Sequence, residues 1–385
     1  MAPVLTSPLV STQWLADHLG ADELVVLDAS VHAEGTGLDT MWHTAQDTYE
    51  QRGHVPGARY ADLVEAFSTP QADVPFTRPG AERFEAAARD LGVTNTSTVV
   101  VYDDSLGEWS ARLWWIFRSF GFDSVAVLDG GFTKWRDEGR PVRVGALRTP
   151  ARRTSGAPTP TGGTPADEAP AVTNKATTAT SGTPADEAPA ATMPASGTPA
   201  NGSPVDETLI DGTRPDTVPA GGTRADRAPA DRASATVARV DCAPADGTSA
   251  ASTPTDVFLA GEERPLWADH ERVRRAVSGE QPASLVLAAP QSSLGTEHPP
   301  VVPGSTSIAL DTIVDPKTNA YLRGPALAAA FAEVIDAEEI VTYCGVGSAA
   351  CVDALALTVL GHEKVRVYDG SLLDWWRREP EPLAS

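Results

Sequence analysis

Residues 338–376 read EEIVTYCGVGSAACVDALALTVLGHEKVRVYDGSLLDWW. A short apolar run ends at Cys344, a glycine-containing loop follows, SAACVDALALTVLG carries a helical pattern, and KVRVYD is a second apolar run. Upstream, LVLAA and TSIAL are two more short runs, and PALAAAFAEVI is another helical stretch. Short apolar runs alternating with helical patterns predict an α/β fold, a mostly parallel sheet flanked by helices. Gly361 falls where a left-handed residue would cap the helix that follows the cysteine.

The same phrase occurs earlier in the chain. VVVYDD, from Val99, is followed by ARLWWIFRSFGFDSVAVLDGGFTKW from Ala111 to Trp135. Gly121 pairs with Gly361, Val125 with Val365, Asp129 with Asp369, Gly130 with Gly370 and Trp135 with Trp375, all at one constant offset. At shifted offsets, LVVLDAS from Leu24 echoes SLVLAAP from Ser284, and HVPGARYADL from His54 echoes VVPGSTSIAL from Val301. The chain therefore reads as a tandem duplication, with domains expected at 1–140 and 256–385.

Between them, 141–255 is dominated by Ala, Pro, Thr, Gly, Asp and Ser, and GTPADEAPA occurs at Gly163 and again at Gly182. So Pro-rich a repeat offers neither an apolar helical stripe nor a strand to stack, which predicts a long disordered linker. A Pro-rich docking segment is the other reading of it.

Composition excludes several functions. With 52 acidic against 30 basic residues, the net charge of -22 opposes binding to nucleic acid or anionic membrane. No window approaches the ~18 apolar residues of a membrane span, and the start of the chain lacks a basic segment leading into an apolar one. The three cysteines are too few for a disulfide framework. A soluble, cytoplasmic protein is the expectation.

The reactive candidate is Cys344. Ligands in open α/β sheets bind beyond the carboxyl ends of strands, and a small loop before a helix turns backbone N–H groups inward. The amides of Gly345, Val346, Gly347, Ser348 and Ala349 would form an anion cradle favouring the Cys344 thiolate or a sulfur anion attached to it. The matching position in the first copy is Asp103, so one copy has a nucleophile and the other does not. A lone strand-terminal cysteine also reads as a small buried hydrophobe. Cys351 is expected to pack against the sheet, and Cys242 lies in the linker. Ala350 stands where a cysteine-dependent phosphatase needs an arginine to clamp its oxyanion, which disfavours phosphoryl transfer. No His or Cys cluster has metal-ligand spacing, and neither a dinucleotide fingerprint nor a Walker loop occurs.

GHVPGARYADL at Gly53 to Leu63, the run from Ala111 to Trp135, and YCGVGSAAC followed by YDGS together resemble the tandem-domain rhodanese family, the thiosulfate and 3-mercaptopyruvate sulfurtransferases. The resemblance implies two rhodanese-like domains, the first non-catalytic and the second carrying a cysteine that becomes a persulfide. It implies a small anionic sulfur donor, an acceptor such as cyanide, a thiol or a thioredoxin-like protein, and neither cofactor nor metal. The loop is more similar to the mercaptopyruvate pattern CG[S/T]GVTAC than to the thiosulfate pattern CRKGVT, because Gly345 replaces the basic residue; a thiol-ketoacid donor is the weak preference.

The chain also departs from the family pattern. Val346 stands where the family has a proton-moving Ser or Thr, and it can neither donate nor accept a hydrogen bond. LAAP replaces LDAR in the second copy, placing Ala288 and Pro290 at the acid and the base, and Gln291, Ser292 and Ser293 supply no replacement. Arg112 is therefore the expected donor contact, with Arg118 and Arg323 behind it and surface packing or ion pairing as their other reading. His54 is expected to fix its turn rather than touch substrate. These losses keep a second function open: a catalytically impaired module that carries persulfide between proteins, or only binds. Hydrolysis of a small anion by the same loop lacks a base in the sequence.

Overall fold

The computed structural model describes residues 2–35, 40–146, 257–290 and 301–379. The expected linker from 147 onward, Cys242, and Gln291 to Ser293 lie outside the described residues. The first copy runs β1 (Leu9–Val10), α1 (Thr12–His18), β2 (Leu24–Asp28), β3 (Val31–Glu34), β4 (Met41–Thr44), α2 (Gln46–Arg52), β5 (Arg59–Tyr60), α3 (Ala81–Asp90), β6 (Thr98–Tyr102), α4 (Glu108–Ser119), β7 (Val125–Leu128) and α5 (Gly131–Asp137). The second runs β8 (Trp267–Ala268), α6 (His270–Val277), β9 (Ser284–Leu287), β10 (Ser305–Ser307), α7 (Gly324–Ala330), β11 (Ile340–Tyr343), α8 (Ala349–Val359), β12 (Val365–Tyr368) and α9 (Ser371–Arg378).

Each copy forms a parallel sheet of five strands, ordered β1-β7-β6-β2-β5 in the first and β8-β12-β11-β9-β10 in the second. The two orders are the same permutation, so the duplication inferred from sequence is a duplication of topology. The central strands β6 (TVVVY) and β11 (IVTY) are buried throughout, as β-branched runs covered on both faces should be. Helices α4 and α8 end alike: the amides of Phe122 and His362 bond back to Phe117 and Leu357, and Gly121 and Gly361 take φ of 75° and 88°. This left-handed cap needs glycine in both copies.

Strand register corrects one sequence pairing. Val99 pairs with Val125 and Ile340 with Val365, which aligns Tyr102 with Tyr343. On β2 and β9, Tyr102 and Tyr343 then face Asp28 and Leu287. Ala288 is thus the counterpart of Ala29, and Leu287 occupies the acid's position; the echo LVVLDAS/SLVLAAP is one residue out of register. Composition could not fix this, because apolar runs slide over one another without changing character. The run TSIAL contributes only its first two residues to β10, and PALAAAFAEVI is helical only to Ala330. An antiparallel hairpin, β3 with β4, stands outside both sheets.

The two copies share one core. A continuous apolar cluster joins the inner faces of both sheets through α3, α4, α7 and α8, and separate clusters lie under α1 and α5 and under α6 and α9. Helix α4 contributes Trp109, Leu113, Trp114, Trp115 and Phe117, and α8 contributes mostly small residues, Ala350, Cys351, Ala354 and Ala356. Large against small lets α4 and α8, which contact each other, pack closely. Burying each large side chain is worth about 1.5–3 kcal/mol. Residues 258–264 also lie on the first copy: Phe258 is fully buried against Phe84, Phe117 and Phe122, and the amides of Gly261 and Arg264 donate to Phe120 and Ser119.

A pseudo-symmetric pair of carboxylates ties the copies together. Asp129 accepts the Tyr321 amide at 2.8 Å and Arg323 Nη2 at 2.6 Å. Its counterpart Asp369 accepts the Arg78 amide at 3.0 Å and Arg112 Nη2.

Candidate active site

Cys344 directly follows β11 and is buried, with 3% of its surface exposed. Its position is fixed by the start of α9. The Cys344 amide donates to Ser371 Oγ at 3.1 Å, and the Ser371 hydroxyl donates to Tyr368 O at 2.8 Å. The carbonyls of Cys344 and Gly345 accept from the amides of Leu372 and Leu373. Ser371 adopts φ of 49°, a left-handed conformation that a non-glycine residue keeps only when its surroundings over-determine it.

Within the loop, the Gly347 amide donates to Cys344 Sγ at 3.1 Å. Gly347 has φ of 86°, and a Cβ there would lie 2.7 Å from Asp369 O and 2.8 Å from Arg112 Nη1. Only glycine fits. The Gly347 carbonyl is held from two sides, by Arg112 Nη1 at 3.2 Å and by the Cys351 thiol at 3.2 Å. Cys351 is fully buried, and burial pushes its thiol up to about 12, partly offset by Arg112. That thiol is not a second nucleophile at neutral pH. Ser348 is buried; Gly345, Val346 and Ala349 are partly exposed, and Val346 and Ala349 pack on the central core.

Each of the three candidate arginines is paired with a carboxylate of the protein. Arg112 has no exposed surface; besides Gly347 O it donates to Phe76 O and Asp369, and it stacks 4.7 Å from the Trp267 ring centroid. The group is buried and these contacts are with the protein. Arg118 pairs with Asp123 at 2.9 Å, and Arg323 pairs with Asp129. His54 is buried, stacks on Tyr49, and sets its ring nitrogens 2.9 Å from Val55 O and 3.1 Å from Gly145 O, a turn-fixing arrangement.

In the first copy the loop after β6 is one residue longer, counted to Gly121 and Gly361. The amides of Phe132 and Leu372, one in each copy, bond to Asp103 O and Cys344 O, which makes Asp103 the structural counterpart of Cys344. The Asp103 carboxylate accepts the amides of Ser105 at 2.9 Å, Gly107 at 3.1 Å and Ser110 at 2.8 Å. Burial holds Asp103 above the usual carboxylate range. Glu108 is also raised, by burial and by the charge of Asp103. A groove of about 1110 Å³ runs along β8 and α6 past Asp269, Arg272, Glu339 and Asp369; Cys344 is not in its wall. Among the described residues, no group of three or more His, Cys, Asp or Glu is placed to hold a metal. No helix there is long and apolar enough to cross a membrane.

Sequence reading missed Asp369, Ser371, Trp267 and Phe76. The signal for the first two was the repeated D-G pair before the last helix in both copies; the other two carry none.

Comparison with known proteins bears on the whole arrangement. The family profile described as Rhodanese-like domain matches residues 11–138 and 298–378. The chain is 41% identical over 145 residues to thiosulfate sulfurtransferase of Rattus norvegicus, covering 36% of this chain and 46% of that one. It is 40% identical over 150 residues to 3-mercaptopyruvate sulfurtransferase of Mus musculus, covering 37% and 48%. The chain thus spans about half the length of the curated relatives it matches. The crystal structure of SseA from Escherichia coli, a 3-mercaptopyruvate sulfotransferase, superposes with a TM-score of 0.60 at 20% identity, covering 95% of this chain and 99% of that one. With the profile matched in both copies and one topology repeated, the chain belongs to the tandem-domain rhodanese family.

Proposed function

We propose that the protein is a sulfurtransferase that carries a sulfane sulfur on Cys344. The observation that carries this reading is the Gly347 amide aimed at Cys344 Sγ in one copy, where the other copy has a carboxylate. In the first step the Cys344 thiolate attacks the outer sulfur of the donor. A Cys344 S–S bond forms, the donor's bond to that sulfur breaks, and the bonding pair leaves as sulfite from thiosulfate or, after taking a proton, as pyruvate from 3-mercaptopyruvate. In the second step a thiophilic acceptor attacks the outer sulfur and the Cys344 thiolate leaves. The Gly347 amide stabilises sulfur anions on both sides of this exchange. Gly345, in place of a basic residue, favours the thiol-ketoacid donor over thiosulfate.

A second reading is favoured by one observation: Arg112, Arg118 and Arg323 all spend their charge on protein carboxylates. With these three charges engaged by the protein, the persulfide would be loaded and unloaded by partner proteins. Mass spectrometry of the Cys344 peptide after incubation with 3-mercaptopyruvate, thiosulfate or polysulfide tests both readings. A sulfur-sized gain from 3-mercaptopyruvate or thiosulfate supports the enzyme, a gain from polysulfide alone supports the carrier, and no gain from any of the three rejects both.

A further inference from the structure

The loop bearing Cys344 is held by a residue of the other copy. Arg112, on α4, crosses into the second copy and donates Nη1 to Gly347 O at 3.2 Å. Gly347 is the residue whose amide meets Cys344 Sγ at 3.1 Å, so one glycine has its carbonyl tied to the first domain and its N–H tied to the sulfur. The guanidinium cannot swing away. Its Nη2 is shared between Phe76 O and Asp369, and its face lies on Trp267. Asp369 O in turn sits against Gly347, so the loop is wedged between the arginine and that arginine's own partner.

We propose that Arg112 is the positioning residue for the sulfur site: the first domain, lacking a nucleophile, supplies the fork that orients the Gly347 amide toward Cys344. This deepens the reading of Cys344 as the sulfur-carrying atom. A guanidinium suits the task because its coplanar N–H groups bind two acceptors at a fixed angle, which a lysine ammonium does not. It also places a positive charge behind the cradle. The other titratable groups facing it are Asp369, its partner, and the neutral thiol of Cys351. Losing the fork leaves the Gly347 carbonyl to the weaker Cys351 thiol donor alone, and the amide is held less firmly toward the sulfur.

The test is the pH dependence of iodoacetamide alkylation, read by mass at Cys344 in the full chain, for wild type, Arg112→Met, Arg112→Lys and Asp129→Asn. Asp129→Asn weakens the equivalent tie between the copies without touching the loop, and it controls for lost docking. Arg112→Met should move the alkylation profile to higher pH and slow the reaction. Arg112→Lys should recover only part of that loss, and Asp129→Asn should keep the wild-type profile. If Arg112→Met does not fold, Arg112→Lys carries the test alone, with alkylation a few-fold slower than wild type. An unchanged profile in the folded Arg112 variants, full recovery by lysine, or the same shift in Asp129→Asn overturns the proposal. Alkylation needs no sulfur donor, so failure of Cys344 to load sulfur leaves this result independent.

Discussion

After β6 the loop of the first copy closes on Asp103, whose carboxylate takes the amides of Ser105, Gly107 and Ser110. After β11 the loop of the second copy turns the amide of Gly347 onto a sulfur. Gly107 and Gly347 share a left-handed backbone, φ of 99° and 86°, and both donate to the residue that directly follows the central strand. A loop that turns its N–H groups inward needs an acceptor, since a buried unpaired donor costs about 1–3 kcal/mol. The first copy meets that need with its own carboxylate. The second places a thiol there, and the two loops differ further in that the first is one residue longer and is capped by the Glu108 carboxylate.

The largest effect expected from breaking this comparison is on sulfur loading. Cys344→Ser should lower persulfide formation at least ~10³-fold while leaving the fold intact, measured by mass and by thermal unfolding. Adding Asp103→Cys to that variant should not restore loading. The Glu108 carboxylate caps the first loop, accepting from Ser105 Oγ at 2.7 Å and the Leu106 amide at 3.1 Å. Recovered loading in the double variant would mean that the two cradles are interchangeable.

Smaller effects separate the two glycines. Gly347→Ala adds close approaches to Asp369 O and Arg112 Nη1 to an unfavourable φ, whereas a Cβ at Gly107 meets only Tyr321 Oη at 3.9 Å and Ser110 Oγ at 4.0 Å. Strain and overlap together should cost Gly347→Ala roughly 2–6 kcal/mol. Gly107→Ala should cost only about 1–2 kcal/mol and leave Cys344 alkylation unchanged. Urea unfolding of both variants provides the measurement. Equal losses would show that conformation alone, rather than the wedge around Gly347, sets the penalty.

Much of this contrast was legible in the sequence, for an identifiable reason. Apolar runs, helical periodicity, the glycine caps at Gly121 and Gly361 and the swap of Asp103 for Cys344 are local patterns, and local patterns survive without a structure. Strands β1 and β8 were not legible, because two residues are too few to carry a period. The one-residue slip between β2 and β9 was hidden by uniformly apolar sequence, and the docking of Phe258 on the first copy by the low-complexity run before it. The fate of Arg112 was invisible for a deeper reason. Whether a helical arginine meets a ligand or a carbonyl depends on what a segment far along the chain brings to it, and spacing along one helix cannot report that.

The register correction makes a final comparison testable. At the end of β2, Asp28 is buried and accepts the Ser30 amide at 3.0 Å; its counterpart on β9 is Leu287, which carries no charge. Burial raises the Asp28 carboxyl from 3.8 to about 6, so the folded chain keeps a proton that the unfolded chain has already lost at pH 5. Stability associated with this group therefore falls as pH rises from about 4 through about 6, and the deficit persists above that. Asp28→Asn keeps the acceptor for Ser30 and removes the titration. It should match wild type near pH 3.5 and exceed it by at most roughly 3 kcal/mol at pH 8, as read by urea unfolding. A gain of equal size at both pH values would trace the effect to packing rather than ionisation, and would remove the buried charge from the list of differences between the two copies.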